Sequence, residues 1–96
     1  MKRHEAARKE HKDRVAALGC ILCAEFGQPG IPAQLHHVRE GQGASQRASD
    51  WLVVPLCPAC HQGPTGVHGD RTLLRIAKWT EMDLLAETIR RLHGDR

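Results

Sequence analysis

The sequence contains no tyrosine, one phenylalanine and two tryptophans, so aromatic residues fill only 3% of its 96 positions. A chain this poor in rings lacks the stacking platforms of a single-strand nucleic-acid binder. Its core must rest on Leu, Ile, Val and Ala. No apolar run is long enough to span a bilayer, and the charged N-terminus has no apolar stretch of the kind a signal peptide needs. No membrane role is expected, and a cytoplasmic location is the default expectation. Asparagine is missing altogether. The charge is only mildly basic, +3 with a pI near 8.9, which is compatible with nucleic acid without demanding it. At this length one domain with a modest core is expected, and such domains commonly need a staple.

Residues 1–18 read as a basic helix or arm. Ala7, His11, Val15 and Leu18 recur on one side, while Lys2, Arg3, Arg8, Lys9, Lys12 and Arg14 crowd the rest. It is either a solvated face or a phosphate-contacting arm. Gly19 is a helix stop, and residues 19–96 form the remaining unit. Residues 33–39 and 52–56 are short strand candidates, the second interrupted by Pro55, and residues 41–49 are a polar loop. Further on, Asp70 can cap a helix over residues 71–78. Thr80 and Asp83 form a capping box for a last helix whose apolar stripe would be Leu85, Ile89 and Leu92. The elements describe an α+β domain.

Four cysteines fall in two pairs, Cys20-Ile-Leu-Cys23 and Cys57-Pro-Ala-Cys60. Each pair can present two thiolates from a tight turn, and two pairs complete the closed tetrahedral site of structural zinc. A haem attachment reading of Cys57-Pro-Ala-Cys60-His61 needs export and ignores the first pair. A thioredoxin-like reading lacks its βαβ context, and two disulfides would require an oxidising compartment. The stretch between the pairs is longer than in a simple zinc ribbon, and the two strand candidates fit there as a hairpin.

With four thiolates on the zinc, the histidines are free for a second site. His36 and His37 stand together, His61 follows the last cysteine, and His68 precedes a helix. Neighbouring strand residues point to opposite faces, so His36 and His37 can share one site only at a strand end or a bulge. Such a cluster suits phosphodiester hydrolysis. A divalent ion would hold the phosphate and a neutral imidazole would deprotonate water. Asp50 is a candidate orienter or ligand. Arg39, Arg47 and Arg71 are candidate phosphate grips.

The order Cys-x-x-Cys, His-His, Cys-x-x-Cys-His resembles the HNH (ββα-metal) endonucleases on a treble-clef zinc scaffold. A closer resemblance, over residues 20–92, is to the phage recombination enhancement function nucleases. It is carried by Leu35-His36-His37-Val38-Arg39 with Gly41, Gly43, Ser45 and Arg47, by Pro55-Leu56-Cys57-Pro58, and by Val67-His68-Gly69. The resemblance implies a metal-dependent DNA endonuclease linked to phage recombination or repair, with DNA and a RecA-type filament as partners. His37 would be the general base and His36 a metal ligand, with His61 or His68 as the late ligand and His68 favoured as a site residue. The structural ion would be Zn2+ and the catalytic one Mg2+ or another divalent cation. The usual HNH asparagine has no counterpart here, and Asp50 is the nearest polar substitute. The competing expectation, from the thiolates and basic helix alone, is a non-catalytic zinc module that binds DNA or a protein partner.

Overall fold

Burial organises this chain around one short strand. The computed structural model describes residues 4–39 and 48–94. The elements are α1 (Glu5–Ala17), α2 (Ile21–Glu25), β1 (Gln34–His37), β2 (Val53–Leu56), α3 (Pro58–Gln62), α4 (Thr72–Ala77) and α5 (Glu81–Leu92). All four residues of β2 are buried. They pair antiparallel with β1, Gln34 opposite Leu56 and His37 opposite Val53, and the helices α1, α2, α3 and α5 pack around the strand. Pro55 sits within β2, opposite Leu35. A two-stranded ladder tolerates it because each strand has an outer edge where no N–H is needed. The architecture is α+β, with the sheet as the expected hairpin pair.

Ile21, Leu22, Val38, Val54, Leu56, Val67, Leu74 and Leu84 form the core together with three buried cysteines. Each such aliphatic side chain contributes roughly 1.5–3 kcal/mol of transfer free energy. Among the described residues no helix is long and apolar enough to cross a membrane.

The helices depart from expectation in their faces. α1 ends where Gly19 turns with φ +77°, as its place after Leu18 predicts. Val15 is its fully buried residue, but Ala7 is exposed and Arg8 half-buried. The inward side is therefore rotated from the expected stripe toward Arg8, His11 and Lys12. α4 starts at Thr72 rather than residue 71, because Arg71 is left-handed with φ 64°. Asp70 Oδ1 accepts the Thr72 N–H at 2.9 Å and its hydroxyl at 2.7 Å. The Thr80–Asp83 capping box is present. The buried stripe of α5, however, is Glu81, Leu84, Leu85 and Thr88, and Ile89 is 46% exposed. Thr88 is tolerated inside because its hydroxyl donates to Leu84 O at 2.8 Å. The expected polar loop lies largely in residues 40–47, so Gly41, Gly43, Ser45 and Arg47 fall outside the described residues.

Candidate functional site

Each cysteine pair is built on a short helix. Cys20 is the N-cap of α2, and its Sγ accepts the Cys23 N–H at 3.3 Å. Cys57 holds the equivalent place before α3, where Pro58 starts the helix. The Cys-x-x-Cys spacing thus puts one sulfur at the cap and one on the first turn. All four Sγ atoms lie within 4.8 Å of one another. Cys23 Sγ is 3.6 Å from Cys57 Sγ and 3.7 Å from Cys60 Sγ. Four sulfurs bound tetrahedrally about 2.3 Å from one ion would stand about 3.8 Å apart, so the donor set fits zinc. These separations are far beyond a disulfide bond, which is about 2.05 Å, and all four cysteines are free. Burial pushes the Cys23 thiol up to about 12 and raises that of Cys60 as well. Burial also opposes ionisation of Cys57, but the hydrogen bonds from the Cys60 backbone and neighbouring thiols bring it net below its ordinary value. Thiols crowded this way ionise together only with a cation among them.

A second cluster begins one residue after Cys60. His36, His61 and His68 each offer a ring nitrogen within 4.8 Å of the others, with ring centroids 4.8–5.2 Å apart. The period of two along β1 sends Gln34 and His36 to one side and Leu35 and His37 to the other. On the first side His36 meets His61 of α3, and Gln34 Oε1 lies 2.9 Å from His61 Nδ1. His68 arrives through a tight return of the chain. Val67 N–H donates to Cys60 O at 2.8 Å and His68 N–H to His61 O at 3.0 Å. Gly66 permits this approach, since a Cβ there would stand 2.4 Å from Cys60 O. His36 and His61 are buried and His68 is exposed, so the trio opens to solvent on one side. Burial lowers the pKa of His36, against the raising effect of the Glu81 carboxylate. Burial and the neighbouring imidazoles lower that of His61. Neutral imidazole is the form that binds a metal.

His37, at the end of β1, forms a different pair. Its Nε2 is 2.9 Å from Asp50 Oδ1. That bond, aided by the Lys12 and Arg8 charges, holds the Asp50 carboxyl below the usual carboxylate range against a small desolvation. An ionised carboxylate only accepts, so His37 donates from Nε2, and in a neutral ring Nδ1 is then the bare nitrogen. The turn carrying Asp50 is held by α1: Lys12 Nζ lies 3.6 Å from Asp50 Oδ2, and His11 Nε2 is 3.1 Å from Trp51 O, with the two rings 5.0 Å apart.

Of the candidate arginines, Arg71 is 51% exposed at its side chain and stands 3.9 Å from Glu81 Oε2, with its Nε donating to Val67 O at 3.0 Å. The Arg39 side chain is exposed. Arg47 lies outside the described residues. The structure therefore brings His36, His61 and His68 together, and sets His37 with Asp50 beside them rather than within the trio. Sequence reasoning missed Gln34 and Glu81. Strand alternation could have pointed to Gln34, two residues before His36. The acidic residue at 81, three and four positions before Leu84 and Leu85, could have flagged a buried carboxylate.

The family described as "Recombination enhancement, RecA-dependent nuclease" matches residues 4–82. No curated protein and no solved structure gave a match.

Proposed function

Because the chain belongs to the recombination enhancement, RecA-dependent nuclease family, we propose that it is a metal-dependent DNA endonuclease of HNH type, built on a treble-clef zinc scaffold and acting on DNA with a RecA-type filament. One observation carries this reading: three imidazoles converge within 4.8 Å, and the next strand residue, His37, is paired with a carboxylate. Two cysteine knuckles, an antiparallel strand pair between them and the helices that follow support the scaffold assignment.

His36, His61 and His68 would hold a divalent ion, which would supply positive charge to the oxygen leaving the scissile phosphate. His37 Nδ1 takes a proton from the attacking water. The water oxygen bonds to phosphorus as the phosphorus–sugar oxygen bond breaks, and the departing oxygen takes its proton from solvent. Asp50 accepts the His37 Nε2–H, fixing the ring's tautomer and stabilising the imidazolium that forms. It takes over the orienting task that an asparagine performs in HNH sites. Arg71 and Arg39 hold phosphate oxygens, and so does Arg47 in this reading. The histidine donors suit a transition metal at least as well as Mg2+.

The test is cleavage of supercoiled DNA with Mg2+ or Mn2+, with and without a RecA filament. The unsubstituted protein should nick, and His37→Ala should lose roughly 100-fold or more in rate while keeping its melting curve. Salt-sensitive DNA binding with no cutting under any metal would instead identify a non-catalytic zinc module.

A further inference from the structure

Glu81 is the first residue of α5, yet it is only 6% exposed. A buried charge is costly unless partners surround it, and these partners converge from β1, the residues just after it and the turn before α4. Glu81 Oε2 stands 2.6 Å from His36 Nε2 on β1. Oε1 accepts the Arg39 backbone N–H at 3.2 Å, just past the strand. The Arg71 guanidinium, before α4, lies 3.9 Å away. A backbone N–H and a guanidinium are the surroundings of a carboxylate anion, which can only accept. The imidazole nitrogen facing it must therefore carry the hydrogen. In a neutral ring that leaves the other nitrogen, Nδ1, as the bare lone pair.

We propose that Glu81 is a positioning residue for the histidine cluster. It holds the His36 proton on Nε2, so that Nδ1 is the atom offered alongside His61 and His68, and it makes that nitrogen a stronger donor to a divalent cation. His61 is arranged in mirror fashion: Gln34 engages Nδ1, so Nε2 is the nitrogen left for the cluster. The two rings thus present different nitrogens, each selected by a partner on its far side. A carboxylate behind a ligating histidine commonly changes metal affinity by roughly 10- to 100-fold. A merely structural Glu81, tying α5 to β1, would leave that affinity alone.

The inference rests on reading the trio as a metal site, and the experiment separates the two. Protein with zinc in its thiolate site is titrated with Co2+, followed by visible absorption, with His68→Ala identifying the signal of the trio. Glu81→Gln keeps the size and one acceptor of the side chain and removes its charge. It should weaken Co2+ binding roughly 10- to 100-fold, and Glu81→Asp should recover part of that loss. In parallel, imidazole 15N spectra of the unsubstituted protein without added Co2+ should show His36 with its hydrogen on Nε2. That measurement needs no variant to fold. Co2+ affinity of Glu81→Gln within about threefold of the unsubstituted protein, or a His36 hydrogen on Nδ1, overturns the proposal while leaving the metal site standing. Failure of the unsubstituted protein to bind a second Co2+ overturns the metal reading and the proposal together.

Discussion

Cys20, Cys57 and Cys60 are buried among Leu22, Val54, Leu56 and Leu84, and with Cys23 they form a closed set of four like donors. His36, His61 and His68 lie beside them but form three donors with an open flank at exposed His68. The first cluster is self-contained, because each pair of donors sits at the start of a short helix, α2 or α3, whose N-cap is the pair's own first cysteine. The second is assembled from a strand, a helix and a loop, with Gln34 and Glu81 hydrogen-bonded to two of its rings. The difference teaches what each cluster can do. A closed set of thiolates has no place for a substrate and serves the fold, whereas an open set of imidazoles can admit a phosphate.

The comparison breaks most visibly at the thiolates. Cys57→Ser, or a strong chelator, should abolish cooperative thermal unfolding and collapse the helical circular dichroism signal, since binding energy at such sites, of order 10 kcal/mol, is folding energy. Cooperative melting that persists after chelation would show that the core holds without the ion. His68→Ala should behave in the opposite way. Cleavage should fall roughly 100-fold or more, while the melting temperature stays close to that of the unsubstituted protein because the ring is exposed. A large loss of stability would mean that the open cluster is structural too.

Acid should reach the histidines first. His36 and His61 have folded-state pKa values below the ordinary 6.5, so from about pH 6.5 downward the unfolded chain binds protons before the folded one. Stability is then complete above pH 6.5 and declines as pH falls through that window. Divalent-ion affinity of the trio should fall over the same range. Melting temperatures measured from pH 8 to 5 test this, and a flat profile would contradict it. The smallest effect belongs to Thr80, whose hydroxyl accepts the Asp83 N–H at 3.1 Å. Thr80→Ala should cost about 1 kcal/mol, read as a drop of roughly 4–8 °C in melting temperature. Because Glu81 follows the cap directly, Co2+ binding at the trio should weaken slightly while the thiolate site is untouched.

The thiolate cluster was legible in the sequence because Cys-x-x-Cys is a local device, complete within four residues each time. The α5 capping box was legible for the same reason, and the strand pair from two short apolar runs on either side of a polar stretch. The polar support of the histidines was not. Glu81 is 45 positions from His36, and an acidic residue in the first turn of a helix looks like an ordinary dipole partner until the helix is rotated against the core. The sequence does not encode that rotation, because Leu85, Ile89 and Leu92 are spaced as regularly along it as the buried Leu84, Leu85 and Thr88. Only packing chooses between them. The separation of His36 from His37 followed from strand alternation, but the convergence of both His61 and His68 on His36 depends on the return of the chain at Gly66, which no periodicity encodes.

The peptide bond between Cys60 and His61 has a consequence in time. The backbone of these two residues also receives the N–H groups of Val67 and His68, so the chain that carries the last thiolate also sets the second and third imidazoles. If the four cysteines take up an ion as proposed, a newly made chain that has not captured it has not yet placed His61 or His68. On the proposed reading, DNA cutting then switches on last, after the scaffold has matured, and a cell starved of zinc accumulates inert chains rather than a loose nuclease.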